Sequence, residues 1–223
     1  MCAAVLLKGL RMNAEIASPS PALPNAATGP LIHPAWVRVT HWLNALAIFI
    51  MIGSGWQIYD ASPLFRFIYF PHEIALGEWL AGALLWHFAA MWLFVINLIV
   101  YVTLGIATGR FRRKLLPIRP HDVIRDFLAA LRGKLSHDDL AVYNAVQRVL
   151  YLGVILAGIV IVLSGLSIWK PVQLKYLTAF FGGYDTARHV HFFAMSSIVA
   201  FLSIHIVLAL LVPKSLRAMI FGR

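Results

Sequence analysis

Hydrophobic and polar positions divide the chain into four long apolar windows joined by three connections of different character. Residues 35–59, 78–105, 146–169 and 189–212 each reach the roughly 20 apolar residues that a helix needs to cross a bilayer. The expected fold is all-α and integral to a membrane, a bundle of four transmembrane helices. Residues 60–77 carry Phe65, Phe67, Tyr69 and Phe70, interrupted by Pro71, and are expected to lie in the membrane interface as a short amphipathic piece. Between windows two and three the chain is basic, with Arg110, Arg112, Arg113 and Lys114. There the pattern predicts a surface helix over residues 120–132 with Val123, Phe127 and Leu131 on one side. The last connection turns at Gly182-Gly183, where Asp185 or Thr186 can cap window four. Residues 1–32 read as a disordered tail, since the apolar patch from Ala3 to Leu7 is too short for a signal-peptide core. Residues 33–223 form the membrane domain.

Histidines break the apolar pattern. An ionisable side chain within a membrane helix faces the bundle interior and finds a partner there. His191 and His205 are 14 residues apart, so they differ by only about 40° around a helix and by roughly 21 Å along it. His189 lies about 160° away from His205 and faces elsewhere. His41 sits about two turns into window one, and His87 lies among apolar residues of window two. With both termini on one side, His41 and His205 come to equal depth, roughly 10 Å in, and His87 and His191 form a second pair near the other side. A lone membrane histidine is equally well explained by a hydrogen bond across a helix interface, but four in matched pairs suggest a shared task. Two facing imidazoles suit axial ligation of one haem within a bundle core. A four-coordinate zinc site would need the histidines to converge, which the 21 Å rise prevents. A proton relay stays open as the rival. His72 and Glu73, outside the windows, read as solvent-facing or docking residues.

Composition strengthens this picture. The chain is 61% hydrophobic, 13% charged and has mean hydropathy +0.79, outside the range of soluble domains. Its net charge of +10 is an orientation signal and excludes nothing so clearly as nucleic-acid binding. Of the 19 Lys and Arg, 15 fall on the side of the N-terminal tail, the second connection and the C-terminal tail. The exceptions are Arg66, Lys170, Lys175 and Arg188. By the positive-inside rule both termini are cytoplasmic, and the basic run beside window two can contact anionic membrane lipid. Cys2 is the only cysteine, so thiolate-ligated clusters and disulfides are excluded.

Window three lacks histidine but echoes window one. Arg38-Val39 recurs as Arg148-Val149, Ala47 as Ala157, and Ser54-Gly55-x-x-Ile58 as Ser164-Gly165-x-x-Ile168, all at an offset of 110 residues, with Tyr151 at the place of His41. This is a weak internal repeat, and Gly153, Gly158 and Gly165 would let a backbone or a flat ring approach closely. Anionic haem propionates need cationic neighbours: Arg38 and Arg148 at one interface and Arg188 at the other. Each competes with the plain reading of a snorkelled, orientation-setting charge.

At these residues the chain resembles the bacterial cytochrome b561 and nickel-iron hydrogenase b-type cytochrome superfamily. The resemblance spans residues 32–223 and rests on Arg38-Val39-Thr40-His41-Trp42, on His87, and on His191 and His205 at their 14-residue spacing. Ser54-Gly55-Trp56-Gln57-Ile58-Tyr59, Phe111-Arg112-Arg113-Lys114-Leu115-Leu116-Pro117 and Val142-Tyr143-Asn144-Ala145-Val146-Gln147-Arg148 are similar to subunits of the thiosulfate-reductase-type cytochrome b. The resemblance implies a multi-pass protein of the bacterial inner membrane that holds two haem b groups. Its axial ligands would be His41, His87, His191 and His205. It also implies electron exchange between a periplasmic redox enzyme, often a molybdenum oxidoreductase, and membrane quinone, as the electron-transfer subunit of an oxidoreductase. Arg38, Trp42 and Asn44 are then candidates for a quinone site. A stand-alone superoxide:quinone oxidoreductase is the alternative within the superfamily, and a haem-free anchor or transporter with a histidine relay the alternative outside it. Association into a homo-oligomer is compatible with all of these.

Overall fold

A computed structural model describes residues 32–132 and 143–222; the expected disordered tail, apart from Ile32, lies outside the described residues. The described chain is all helical, with α1 at Ala35–Ala61, α2 at Leu80–Ala107, α3 at Arg110–Leu115 and α4 at Pro120–Leu131. It continues with α5 at Ala145–Trp169, α6 at Lys175–Phe180, α7 at Tyr184–Leu211 and α8 at Pro213–Phe221. Helices α1, α2, α5 and α7 are long and apolar enough to cross a membrane, matching the four windows.

Local chemistry explains most boundaries. Asn144 opens α5 through a capping box, its Oδ1 accepting from Gln147 N at 2.8 Å while Gln147 Oε1 accepts from Asn144 N at 3.1 Å. The surface helix α4 starts at Pro120 with Asp122 in its first turn, and Asp126 Oδ2 accepts from Ala145 N at 2.9 Å, tying α4 to the start of α5. Neither Asp185 nor Thr186 caps α7. Its N-cap is Gly183 at φ +102°, and the Thr186 hydroxyl instead donates to Gly182 O. Three short helices escaped the hydropathy pattern: α3 and α6 are each six residues long, and α8 restarts at Pro213, a residue suited to a first helical turn.

Residues 62–79 contain no helix. They form turns that fold back on α1: Leu76 N donates to Gly53 O at 3.0 Å, Phe70 N donates to the Asp60 carboxylate at 3.2 Å, and Phe70 stacks on Trp56 at 4.8 Å. Pro63 and Pro71 interrupt helix here; Phe70 packs on Trp56 and Tyr59 of α1, Phe65 packs on Phe192 and Phe193 of α7, and Phe67 and Tyr69 stay exposed.

Helix α1 packs along α2, and α5 packs along α7, each pair a hairpin. Their interfaces are built from small buried residues, among them Ala47, Ser54, Ala83, Ala90, Ser164, Ala187 and Ala194, which let helices approach closely where no hydrophobic effect drives them together. The backbones of the two hairpins stay farther apart than within each hairpin.

The hairpins are copies. Beyond the 110-residue offset between α1 and α5, α2 repeats in α7 at an offset of 104: Ala83, His87, Phe88, Ala90, Met91, Val95 and Leu98 recur as Ala187, His191, Phe192, Ala194, Met195, Val199 and Leu202. Contacts between the hairpins obey the same relation, with Tyr59 against Phe192 at 5.1 Å and its counterpart Trp169 against Phe88 at 5.2 Å. Ile32 N donates to Gly222 O at 2.9 Å and Arg38 Nη1 to Ile220 O at 2.7 Å, so both ends of the described chain meet at one end of the bundle, called the terminal end below.

Candidate functional site

Four histidines project between the hairpins in two pairs. His41 on α1 and His205 on α7 have ring centres 6.0 Å apart near the terminal end; His87 on α2 and His191 on α7 have ring centres 6.5 Å apart toward the far end. These are the pairings expected from helical spacing.

Each far-end histidine rests on a matching cradle. Ser54 Oγ lies 3.1 Å from His87 Nδ1, and Ser164 Oγ lies 3.1 Å from His191 Nδ1. Each serine hydroxyl has its own acceptor one turn back, Ile50 O at 2.7 Å and Val160 O at 2.8 Å. The serine oxygen is thus left to accept from an imidazole N–H. A backbone carbonyl completes each cradle: Ile161 O stands 3.1 Å from His191 Nδ1, and the His87 ring bonds to the Met51 backbone. With Nδ1 held as donor, Nε2 of each ring carries the free lone pair, the arrangement that orients a metal-ligating histidine. A histidine ring sits against the glycine after each serine: a Cβ on Gly55 would lie at ordinary contact distance, 3.5 Å from His87 Cε1, whereas one on Gly165 would crowd His191 Cε1 at 3.1 Å.

The residues fit haem. Metal–imidazole bonds of about 2.0–2.1 Å on opposite faces of one ion set ring centres roughly 6 Å apart, the separation of both pairs. Among the described residues no cluster of three or more His, Cys, Asp or Glu could hold a bare metal ion, so two nitrogen ligands suit a metal whose other ligands come from a macrocycle. Arg38 Nε and Trp56 Nε1 are buried without a hydrogen-bond partner; Arg38 precedes His41 by about one helical turn, and the Trp56 ring stacks on Phe70 of the 62–79 connection.

The other expected site residues are placed differently. Arg148 is engaged by the second connection, Nε donating to Tyr143 O at 3.0 Å and Nη1 to Pro117 O at 2.9 Å. Arg188 donates to Ser62 at the far end. Asn44 Oδ1 accepts from Asn97 Nδ2 at 2.7 Å, and the same amide donates to Thr40 O at 2.7 Å, locking α1 to α2. Trp42 is 46% exposed and meets His41 edge-on at 5.2 Å. His189 bonds to Asp185 O at 2.8 Å and faces Phe65, away from the histidine pairs.

The hairpin symmetry breaks at the terminal-end pair. His41 corresponds to Tyr151 and His205 to Tyr101, so the mate of this pair is two tyrosines, with the Tyr143 ring tilted against Tyr151 at 5.1 Å. The far-end pair joins equivalent residues and needs no mate. Sequence reasoning missed Ser54 and Ser164 as supports of the histidines, although their recurrence in the 110-residue repeat was the available signal.

Over residues 32–222 the sequence matches the family described as prokaryotic cytochrome b561. A protein of Azospira oryzae named as a putative protein-methionine-sulfoxide reductase subunit, YedZ1, is 53% identical over 191 residues, covering 86% of this chain and 96% of that protein.

Proposed function

Because the chain belongs to the prokaryotic cytochrome b561 family and is thereby a membrane haem protein, we propose that it is a dihaem electron carrier linking membrane quinone to a periplasmic oxidoreductase. The observation that carries this reading is the pair of imidazole couples with ring centres 6.0 and 6.5 Å apart. His41 and His205 would hold one haem b, His87 and His191 the other. Haem b, when bound, supplies a one-electron iron couple. The chain's own contribution is to fix ligand orientation through Ser54 and Ser164, to offer Arg38 Nε and Trp56 Nε1 to acidic edge groups, and to keep both pairs between helices. The cationic terminal end would face the cytoplasm, which leaves the far end toward the periplasm. The name of the Azospira oryzae relative makes a reductase of protein methionine sulfoxide, a molybdenum enzyme by the superfamily resemblance, the first partner to test.

Haem stoichiometry tests this. The purified protein is expected to hold two haems per chain, with a strong reduced α-band. His205→Ala and His191→Ala should each remove about one of the two. Retention of both in either variant would overturn the ligand assignment.

A further inference from the structure

Resting on the dihaem reading, we propose that this chain sets its two haem potentials apart through residues that do not bind iron. Arg110, held between the hairpins, raises the potential of the couple on His41 and His205. Ser54 and Ser164 lower that of the couple on His87 and His191. A single electron shared by the two couples then rests at the terminal end.

Ligand support differs between the ends. At the far end His191 Nδ1 lies 3.1 Å from both Ser164 Oγ and Ile161 O, and His87 Nδ1 lies 3.1 Å from Ser54 Oγ, with the Met51 backbone as a second partner. An imidazole that shares its N–H in this way is a more basic ligand, which favours the oxidised, more positive iron. His41 and His205 make no hydrogen bond among the described residues. Their neighbours are aromatic instead: Trp42 meets His41 edge-on at 5.2 Å, and Phe201 stacks on His205 at 5.6 Å. All four rings are half-buried, so burial does not separate the couples.

Charge acts in the same direction. Arg110 opens α3 and turns inward, Nη2 donating to His33 Nδ1 at 3.1 Å and the guanidinium donating also to the Tyr143 hydroxyl. His33 and Tyr143 are counterparts at the 110-residue offset, so Arg110 bridges matching points of the two hairpins. Its own counterpart at the 104-residue offset, Lys214, is exposed on α8. His33 lies in the fields of both His41 and Arg38, which puts the Arg110 guanidinium beside the terminal-end pair. A cation there favours the electron-bearing state of the couple. The described carboxylates on that side, Asp122 and Asp126, lie on α4 and are bridged to Arg125 at 3.2 and 3.1 Å. At the far end the cations Arg66, Lys170, Lys175 and Arg188 are matched in number by Asp60, Glu73, Glu78 and Asp185, so that end carries no net field of its own. One unit charge about 10 Å away, at an effective dielectric of about 20, changes a one-electron equilibrium on the order of tenfold.

The test is a redox titration of the haem-loaded protein in mild detergent, followed at the α-band and by electron paramagnetic resonance of the ferric signals. Two midpoint potentials are expected, the higher one missing from His205→Ala and retained in His191→Ala. With all four histidines in place, Arg110→Gln should lower the higher potential by about 59 mV, tenfold in the one-electron equilibrium, and leave the lower one where it is. Arg110→Lys, which keeps the charge, should restore it. Ser164→Ala should raise the lower potential alone. These last three variants decide the matter even where a histidine variant fails to fold. A single shared potential, the reverse order, or a higher potential unmoved by Arg110→Gln would overturn the inference, while two bound haems leave the electron-carrier reading standing. Absence of the two haems from the unmodified protein would instead overturn that reading.

Discussion

Ser164 on α5 stands 3.1 Å from Nδ1 of His191 on α7, and Ser54 on α1 repeats this contact with His87 on α2 at the same 3.1 Å. Two copies of one hairpin thus hold two imidazoles in one tautomer, facing each other across the space between the copies. In the proposed dihaem arrangement, this pair would be steadied by groups that do not bind the metal themselves.

Removing either hydroxyl should loosen ligation without abolishing it, because a carbonyl still faces each ring. Loss of a group that orients a metal-bound histidine typically costs 10–100-fold in affinity. We predict about a tenfold faster haem loss for Ser54→Ala or Ser164→Ala, read by transfer to a haem-free acceptor globin. The far-end haem should also show a shifted midpoint potential in redox titration. Unchanged transfer rate and potential would remove the serines from the site.

The two glycines after these serines should differ in tolerance. An added methyl at Gly55 falls at ordinary contact distance from His87, 3.5 Å, whereas at Gly165 it falls 3.1 Å from His191 Cε1. Overpacking of this kind costs about 1–3 kcal/mol. Gly165→Ala is expected to lower haem content and thermal stability measurably, and Gly55→Ala much less. Equal effects, assayed by pyridine haemochrome and a melting curve, would contradict the cradle geometry.

At the terminal end, outside the spans, burial holds the His33 imidazole down to about 4, reinforced by Arg110, Lys114, His41 and Arg38. Arg110 Nη2 donates to His33 Nδ1 at 3.1 Å. The folded pKa lies below the ordinary 6.5, so between those values the unfolded chain binds more protons. Stability contributed by neutral His33 is present above pH 6.5 and is lost as pH falls toward 4. Melting temperature in detergent should drop over that window, and His33→Gln should flatten the drop relative to the parent. Parallel curves for the two proteins would refute the role assigned to His33.

Hydropathy and helical spacing were sufficient to count the four spans, to place His41 with His205 and His87 with His191, and to single out Ser54-Gly55 and Ser164-Gly165 as related. Those properties are local: an apolar run selects a helix in lipid, and 14 residues set an angle and a rise along it. Hydrogen-bond partners are not local, since they depend on which helices become neighbours and how each is rotated. Only the folded chain assigned Ser54 and Ser164 to the histidine rings, committed Arg148 to the second connection and Asn44 to Asn97, and drew residues 62–79 back onto α1. The duplication behind the site was hidden for the same reason. Its two halves sit at offsets of 110 and 104 because α1 runs two residues longer than α5 and the connection after it four residues longer than its counterpart.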